Sequence, residues 1–212
     1  MAIEVLNGGM TGSLTGDWVQ LLEQVKDSFQ PDVILVVFFL RDGTRLHLLR
    51  SFVWPIRDQI VARNRASVLY RQSYLFRLIR DYRDRLEIAE QYGQGMNDAY
   101  FGSARQTQEW TIAQANIRKI KETAAEIHAR VGLVVFPALV QLDQHYPFKK
   151  ICDLITEFGV RNQIPTHNLL PAFLGKNAPD LWVSPANQHP NARGHEIAAS
   201  SILPFLRQLL TD

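Results

Sequence analysis

Residues 32–40, DVILVVFFL, constrain this chain more than any other stretch. The run lies between Pro31 and the polar Arg41-Asp42-Gly43, and its side chains are apolar and mostly β-branched or aromatic. A run without polar alternation has no wet face, so it reads as a strand buried on both sides. LVVFPAL at 133–139 repeats the pattern. Such strands need a layer on each face, and the segments between them supply helices. Trp18, Leu21, Leu22 and Val25 share one helical face within 17–29, with Asp17 placed to cap it. Residues 53–90 are mostly helical in pattern. Trp110, Ala113, Ile117, Ile120, Ala124, Ile127 and Val131 recur every three or four residues, with Gly132 as the stop. A helix over 149–159 closes on Gly159, and a last one covers 197–210. AIEVLN (2–7) reads as a short strand before the glycine-rich turn NGGMTG. The expectation is an α/β fold with a parallel sheet covered on both faces, as one domain over 1–212 with 43–110 as a helical insertion or lid.

A chain of 212 residues with 46% hydrophobic side chains buries one sizeable core. Its net charge of +2 and lack of any nucleic-acid-binding signature argue against a nucleic-acid partner. Cys152 is the single cysteine, which excludes an intrachain disulfide framework. The N-terminal MAIEVLNGG has no basic or apolar signal region, and no apolar run reaches the roughly 18 residues of a membrane span. As it stands the chain reads as cytoplasmic; an upstream export signal would move it to the envelope or outside.

Parallel sheets place their chemistry at the carboxyl ends of the strands. The loops to inspect are NGGMTG, RDGTR, VQLDQHYP and SPANQHPNARGH. IEVLNGGMTG, QPDVILVVFFLRD, LLPAFLG and LWVSPANQHPNARGHEIAA resemble, in that order, segments of the SGNH (GDSL-type) esterase and lipase superfamily. The resemblance implies a flavodoxin-like three-layer sandwich and hydrolysis of esters, often on lipids or acylated carbohydrates. It also implies a serine nucleophile after the first strand, an oxyanion hole, and a carboxylate and His near the C-terminus. A hydroxyl needs a base to attack, and the tetrahedral oxyanion needs preorganised donors.

On this resemblance His189 is the catalytic base and Gly12 the oxyanion glycine. Arg41 stands where the family has an oxyanion Asn: a donor too, but longer and charged. Asp42 is expected to serve its loop structurally. The carboxylate's place, two or three residues before His189, holds Asn187 and Ala186. An Asn bonds the imidazole without stabilising the imidazolium; in the serine-protease template that exchange lowers kcat about 10⁴-fold. Asn168 likewise stands where similar sequences show Asp. The family's first strand and Gly-Asp-Ser loop would precede IEVLN, so the chain reads as an N-terminally truncated or degenerate member. Ser13, in GSLTG, is the alternative nucleophile, against a turn or helix-capping serine. In the family's strand order 2-1-3-4-5, loss of the first strand leaves AIEVLN to pair with DVILVVFFL or with another molecule, or leaves exposed edges that invite self-association.

Residues 41–85 hold eleven arginines against four aspartates, interleaved with Trp54, Tyr70, Tyr74, Phe76 and Tyr82. One reading is a lid that contacts an anionic glycan or lipid head group. The other, preferred, is a helical insertion with its aromatics toward the core and its arginines solvated. GQGMND (93–98) reads as a loop. His47, His128, His145, His167 and His195 show no metal-ligand spacing, so neither metal nor cofactor is expected. Two function classes follow: an impaired serine ester hydrolase or acyltransferase, and a noncatalytic relative that binds a glycan or lipid.

Overall fold

The computed structural model describes residues 4–44, 54–185 and 187–211. The readings on Ala186, Arg45, His47 and Arg50 fall outside these residues. The chain divides into two compact units, Met1–Asp42 with Ile112–Asp212, and Gly43–Thr111. The helices described are α1 (Thr15–Phe29), α2 (Trp54–Ala66), α3 (Val68–Gln72), α4 (Tyr74–Phe101), α5 (Gln108–Glu126), α6 (Lys149–Arg161), α7 (Leu170–Phe173) and α8 (Ala192–Thr211).

The first unit holds a parallel sheet of β1 (Val33–Phe39), β2 (Arg130–Phe136) and β3 (Thr166–Asn168), in the order β1-β2-β3. Both long apolar runs supply strands, although β2 runs from Arg130 and ends at Phe136, short of the expected Leu139, and it is buried from Val131 to Val135. Leu35 lies opposite Gly132 and Val134 opposite His167, so these residues share a face. α8 covers that face: Phe205 and Leu209 pack where a Gly132 side chain would stand. On the other face, Trp18 of α1 meets Phe38 edge-on at 6.2 Å, and Gly159 of α6 abuts Thr166. Helices therefore lie against both faces. β1 is an edge strand and leaves Val37 exposed, so its burial is less complete than its composition predicts. α1 and α5 are tied by polar contacts: Lys26 to Glu126 at 2.6 Å, Thr123 to Glu23 at 2.7 Å and Asn116 to Thr15 at 2.9 Å.

Several local expectations are corrected. Residues 4–10 form no strand; Asn7 Oδ1 accepts the Gly9 N–H at 2.9 Å, and Val5 and Leu6 stay exposed, so turn chemistry wins over a short apolar pattern. Asp17 is not the cap residue of α1 but lies one turn in, where its carboxylate accepts the Leu14 N–H at 2.7 Å. Gly132 stops no helix: α5 ends at Glu126, and left-handed His128 (φ 59°) turns the chain into β2. Gly159 lies inside α6, which ends through left-handed Gln163 (φ 53°). Both glycines are there for close packing rather than for turning. GQGMND is not a loop but part of α4, with Gly95 and Met96 buried.

In the second unit the N-caps of α3 and α4 are Ser67 and Ser73, whose hydroxyls accept the Tyr70 and Phe76 N–H groups at 3.2 Å. The contact between α2 and α4 is polar. Buried Asp84 pairs with Arg63, accepts from Asn64 Nδ2 at 2.8 Å, and has Arg80 at 3.4 Å. Tyr70 donates to Asp81 at 2.7 Å. Contrary to the expected core-facing aromatics, Trp54, Tyr74 and Tyr82 are exposed, while Tyr70 and Phe76 are half-buried. In the first half of α4, up to Glu90, the one buried side chain is Asp84 and the apolar side chains opposite it face outward; the second half buries Gly95, Met96, Ala99 and Tyr100.

Candidate functional site

His189 stands on a short hairpin of β4 (Trp182–Ser184) and β5 (Asn187–Pro190), just before α8. Trp182 Nε1 donates to the Leu139 carbonyl at 2.7 Å, which ties the hairpin to the loop after β2. Asn191 secures its other end. Its side-chain amide donates to the carbonyls of Asp180 (2.9 Å) and Trp182 (3.1 Å), and its Oδ1 accepts the Gly194 N–H at 3.1 Å, capping α8. The HPNARGH motif thus has a structural cause besides its resemblance: Asn191 caps, and Gly194 lets the helix approach Pro190 and the Leu181 carbonyl. Asn191→Ala is expected to lower stability by about 2 kcal/mol, since one side chain serves a cap and two carbonyls; a urea titration beside the parent chain measures it.

The structure brings Asn187 and His189 together. Asn187 Oδ1 accepts the His189 backbone N–H at 3.2 Å and lies 2.6 Å from His189 Nδ1. An amide oxygen only accepts, so this contact places the proton on Nδ1 and leaves the Nε2 lone pair as a base. Both side chains are exposed.

The other expected residues of the first unit have local partners or turn roles of their own. Gly12 occupies a turn before α1 with φ 85°, a backbone state that favours glycine. Ser13 Oγ donates to the Met10 carbonyl at 2.9 Å and accepts from Trp18 Nε1 at 2.9 Å. Its proton points to a carbonyl, and among the described residues no imidazole bonds it. Arg41 follows β1 in a 3-10 turn, Leu40–Gly43, with its guanidinium 5.8 Å from the Phe39 ring centroid. Asp42 accepts the Phe39 N–H at 2.9 Å, a loop-fixing contact of the kind expected of it. Asn168 accepts the Leu170 N–H at 2.9 Å and shapes the turn into α7.

The one imidazole–hydroxyl hydrogen bond among the described residues escaped the sequence reading. His167 Nε2 lies 2.9 Å from Ser201 Oγ, with the imidazole stacked on Phe205 at 5.4 Å. Residues this far apart in sequence meet only when α8 docks on the sheet. Ser201 lies inside α8, where backbone amides are committed to the helix, so it has no ready oxyanion donors. Burial lowers the His167 pKa and favours the neutral ring. The unfolded chain therefore takes up the proton first, and this contribution to stability is complete above the ordinary His pKa and lost as pH falls through the lowered one. His167→Gln is expected to flatten the loss of stability that sets in as pH falls through and below the ordinary His range; urea midpoints followed downward from neutral pH compare the two proteins.

Cys152 is buried, and desolvation pushes its thiol up to about 12, so it offers no thiolate at neutral pH. Among the described residues no three His, Cys, Asp or Glu side chains gather to hold a metal ion. A broad depression of about 560 Å³ lies among Asp143, Gln144, His145, Leu174 and Gly175, open to solvent and not lined by His189. Set against family models, curated proteins and solved structures, the chain matches none.

Proposed function

We propose that this chain carries the base side of an SGNH-type ester-hydrolase or acyltransferase site on a flavodoxin-like sandwich, for acyl esters such as those of glycans or lipids, and that its turnover is impaired. The single observation behind this reading is the 2.6 Å contact of His189 Nδ1 with Asn187 Oδ1, on a hairpin that leads into the last helix. In a productive encounter Nε2 takes a hydroxyl proton while Asn187 holds the ring. The imidazolium so formed has an amide beside it instead of a carboxylate, which is the impairment. The parallel order β1-β2-β3 with helices on both faces supports the fold reading.

The committed Ser13 hydroxyl favours a second reading, a noncatalytic relative that binds a glycan or lipid. Hydrolysis of p-nitrophenyl acetate by the chain, His189→Ala and Ser13→Ala separates the two. A slow rate lost with His189 supports the first reading; background rates in all three support the second. Loss in both variants would make Ser13 the nucleophile and overturn the assignment of its hydroxyl to the turn.

A further inference from the structure

The outer face of α4 carries Leu75, Leu78, Ile79, Tyr82 and Leu86 at helical spacing, and each is between 53 and 66% exposed. These positions form one stripe along the helix, the width by which a core-facing helix normally buries itself. Here it points to solvent, because the opposite side of the helix is held to α2 through Asp84. Nearby Val68 and Leu69 of α3 and Tyr74 are also exposed. A continuous apolar surface of this kind marks a docking site.

The charges around the stripe identify the occupant. On the helical wheel Arg83 flanks the stripe on one side and Arg85 on the other, and both are exposed. Of the acids on this half of α4, Asp84 is engaged with Arg63, Asn64 and Arg80, Asp81 with the Tyr70 hydroxyl and Glu87 with Arg63, while exposed Glu90 lies one turn beyond Leu86, at the end of the stripe. From Leu75 to Leu86 the face therefore presents apolar side chains bordered by Arg83 and Arg85, while Asp81, Asp84 and Glu87 are paired with other groups of the unit. A second copy of the stripe fits poorly, because a two-fold pair centred on Tyr82 brings Arg83 and Arg85 against their own copies. Among the described residues no helix is long and apolar enough to cross a membrane, so the stripe is not part of a span.

We infer that α4 docks this protein on an anionic lipid bilayer, with Leu75, Leu78, Ile79, Tyr82 and Leu86 entering the interface and Arg83 and Arg85 meeting the head groups. An amphipathic helix with aromatic and aliphatic residues on one side and arginines at the borders binds in this way, lying in the membrane plane. The inference does not depend on the His189 site, which belongs to the other unit.

Flotation of the full chain with phosphatidylcholine vesicles, with and without phosphatidylglycerol, tests it. Binding is expected only with phosphatidylglycerol and should fall as salt is raised. Two double variants, Leu78→Glu with Leu86→Glu and Arg83→Glu with Arg85→Glu, should each weaken binding by at least about tenfold. Circular dichroism of both should match the parent, since the altered side chains face solvent. No flotation with phosphatidylglycerol, or equal flotation on phosphatidylcholine alone, overturns the inference. Light scattering that shows a dimer dissolved by the leucine variant also overturns it and assigns the stripe to a second copy.

Discussion

The chain is expected to hydrolyse p-nitrophenyl acetate at least about 10³-fold more slowly than a serine esterase with a complete triad. Three observations lead there. The hydroxyl nearest to the expected nucleophile role, on Ser13, donates to the Met10 carbonyl. The base it would need, His189, bonds an amide rather than a carboxylate. No buried pocket encloses that imidazole, which is exposed, so water screens any charge that forms on it. Asn187→Asp sharpens the expectation. It restores a carboxylate beside Nδ1 and makes the imidazolium more favourable, yet supplies no nucleophile. The rate should stay within about tenfold of the parent, since among the described residues no serine hydroxyl is hydrogen-bonded to His189. A rise of about 10² or more would show a hydroxyl within reach of Nε2 and would revise the role given to Ser13.

Gly132→Val is expected to destabilise the first unit by about 2–3 kcal/mol, a large share of a domain's stability. A Cβ at this position runs into Leu209 Cδ1 and stands 3.2 Å from both Leu35 Cδ1 and Phe205 Cε1. The residue sits in central β2, paired to β1 with Leu35 opposite it, so the backbone has no free edge toward which to relax. Valine is the better strand former, and by propensity alone the substitution should help. Packing against α8 reverses the sign. Leu209→Ala combined with Gly132→Ala is expected to recover part of the loss of Gly132→Ala, because it removes the atom met first; a double-mutant cycle by urea unfolding reads the coupling.

The strands were legible because their cause is local. DVILVVFFL and LVVFPAL are apolar and branched enough to read as strands: the first became β1, only partly buried, and the second supplied the end of β2 up to Phe136. The helices were legible by periodicity, though their ends were not: Gly132 and Gly159 drew the expected stops, while His128 and Gln163 took up the left-handed state. A backbone can impose that state on a residue whose composition does not ask for it, at a modest cost met by the packing around it. The Asn187–His189 contact was readable from two residues of spacing. The His167–Ser201 contact was not, because β3 and α8 are brought together only by burial of the sheet face between them.

By itself, then, the sequence determined the α/β alternation, the two long strands and the amide in place of a carboxylate beside His189, all of which depend on residues close along the chain. Tertiary structure alone decided which glycines serve packing and which face of α4 meets water. An amphipathic helix announces that it has two faces, but the side it buries depends on what its neighbours offer. Here Arg63 and Asn64 offer charge and hydrogen bonds to Asp84, so in the first half of α4 the polar side is held inward and the leucines stay exposed.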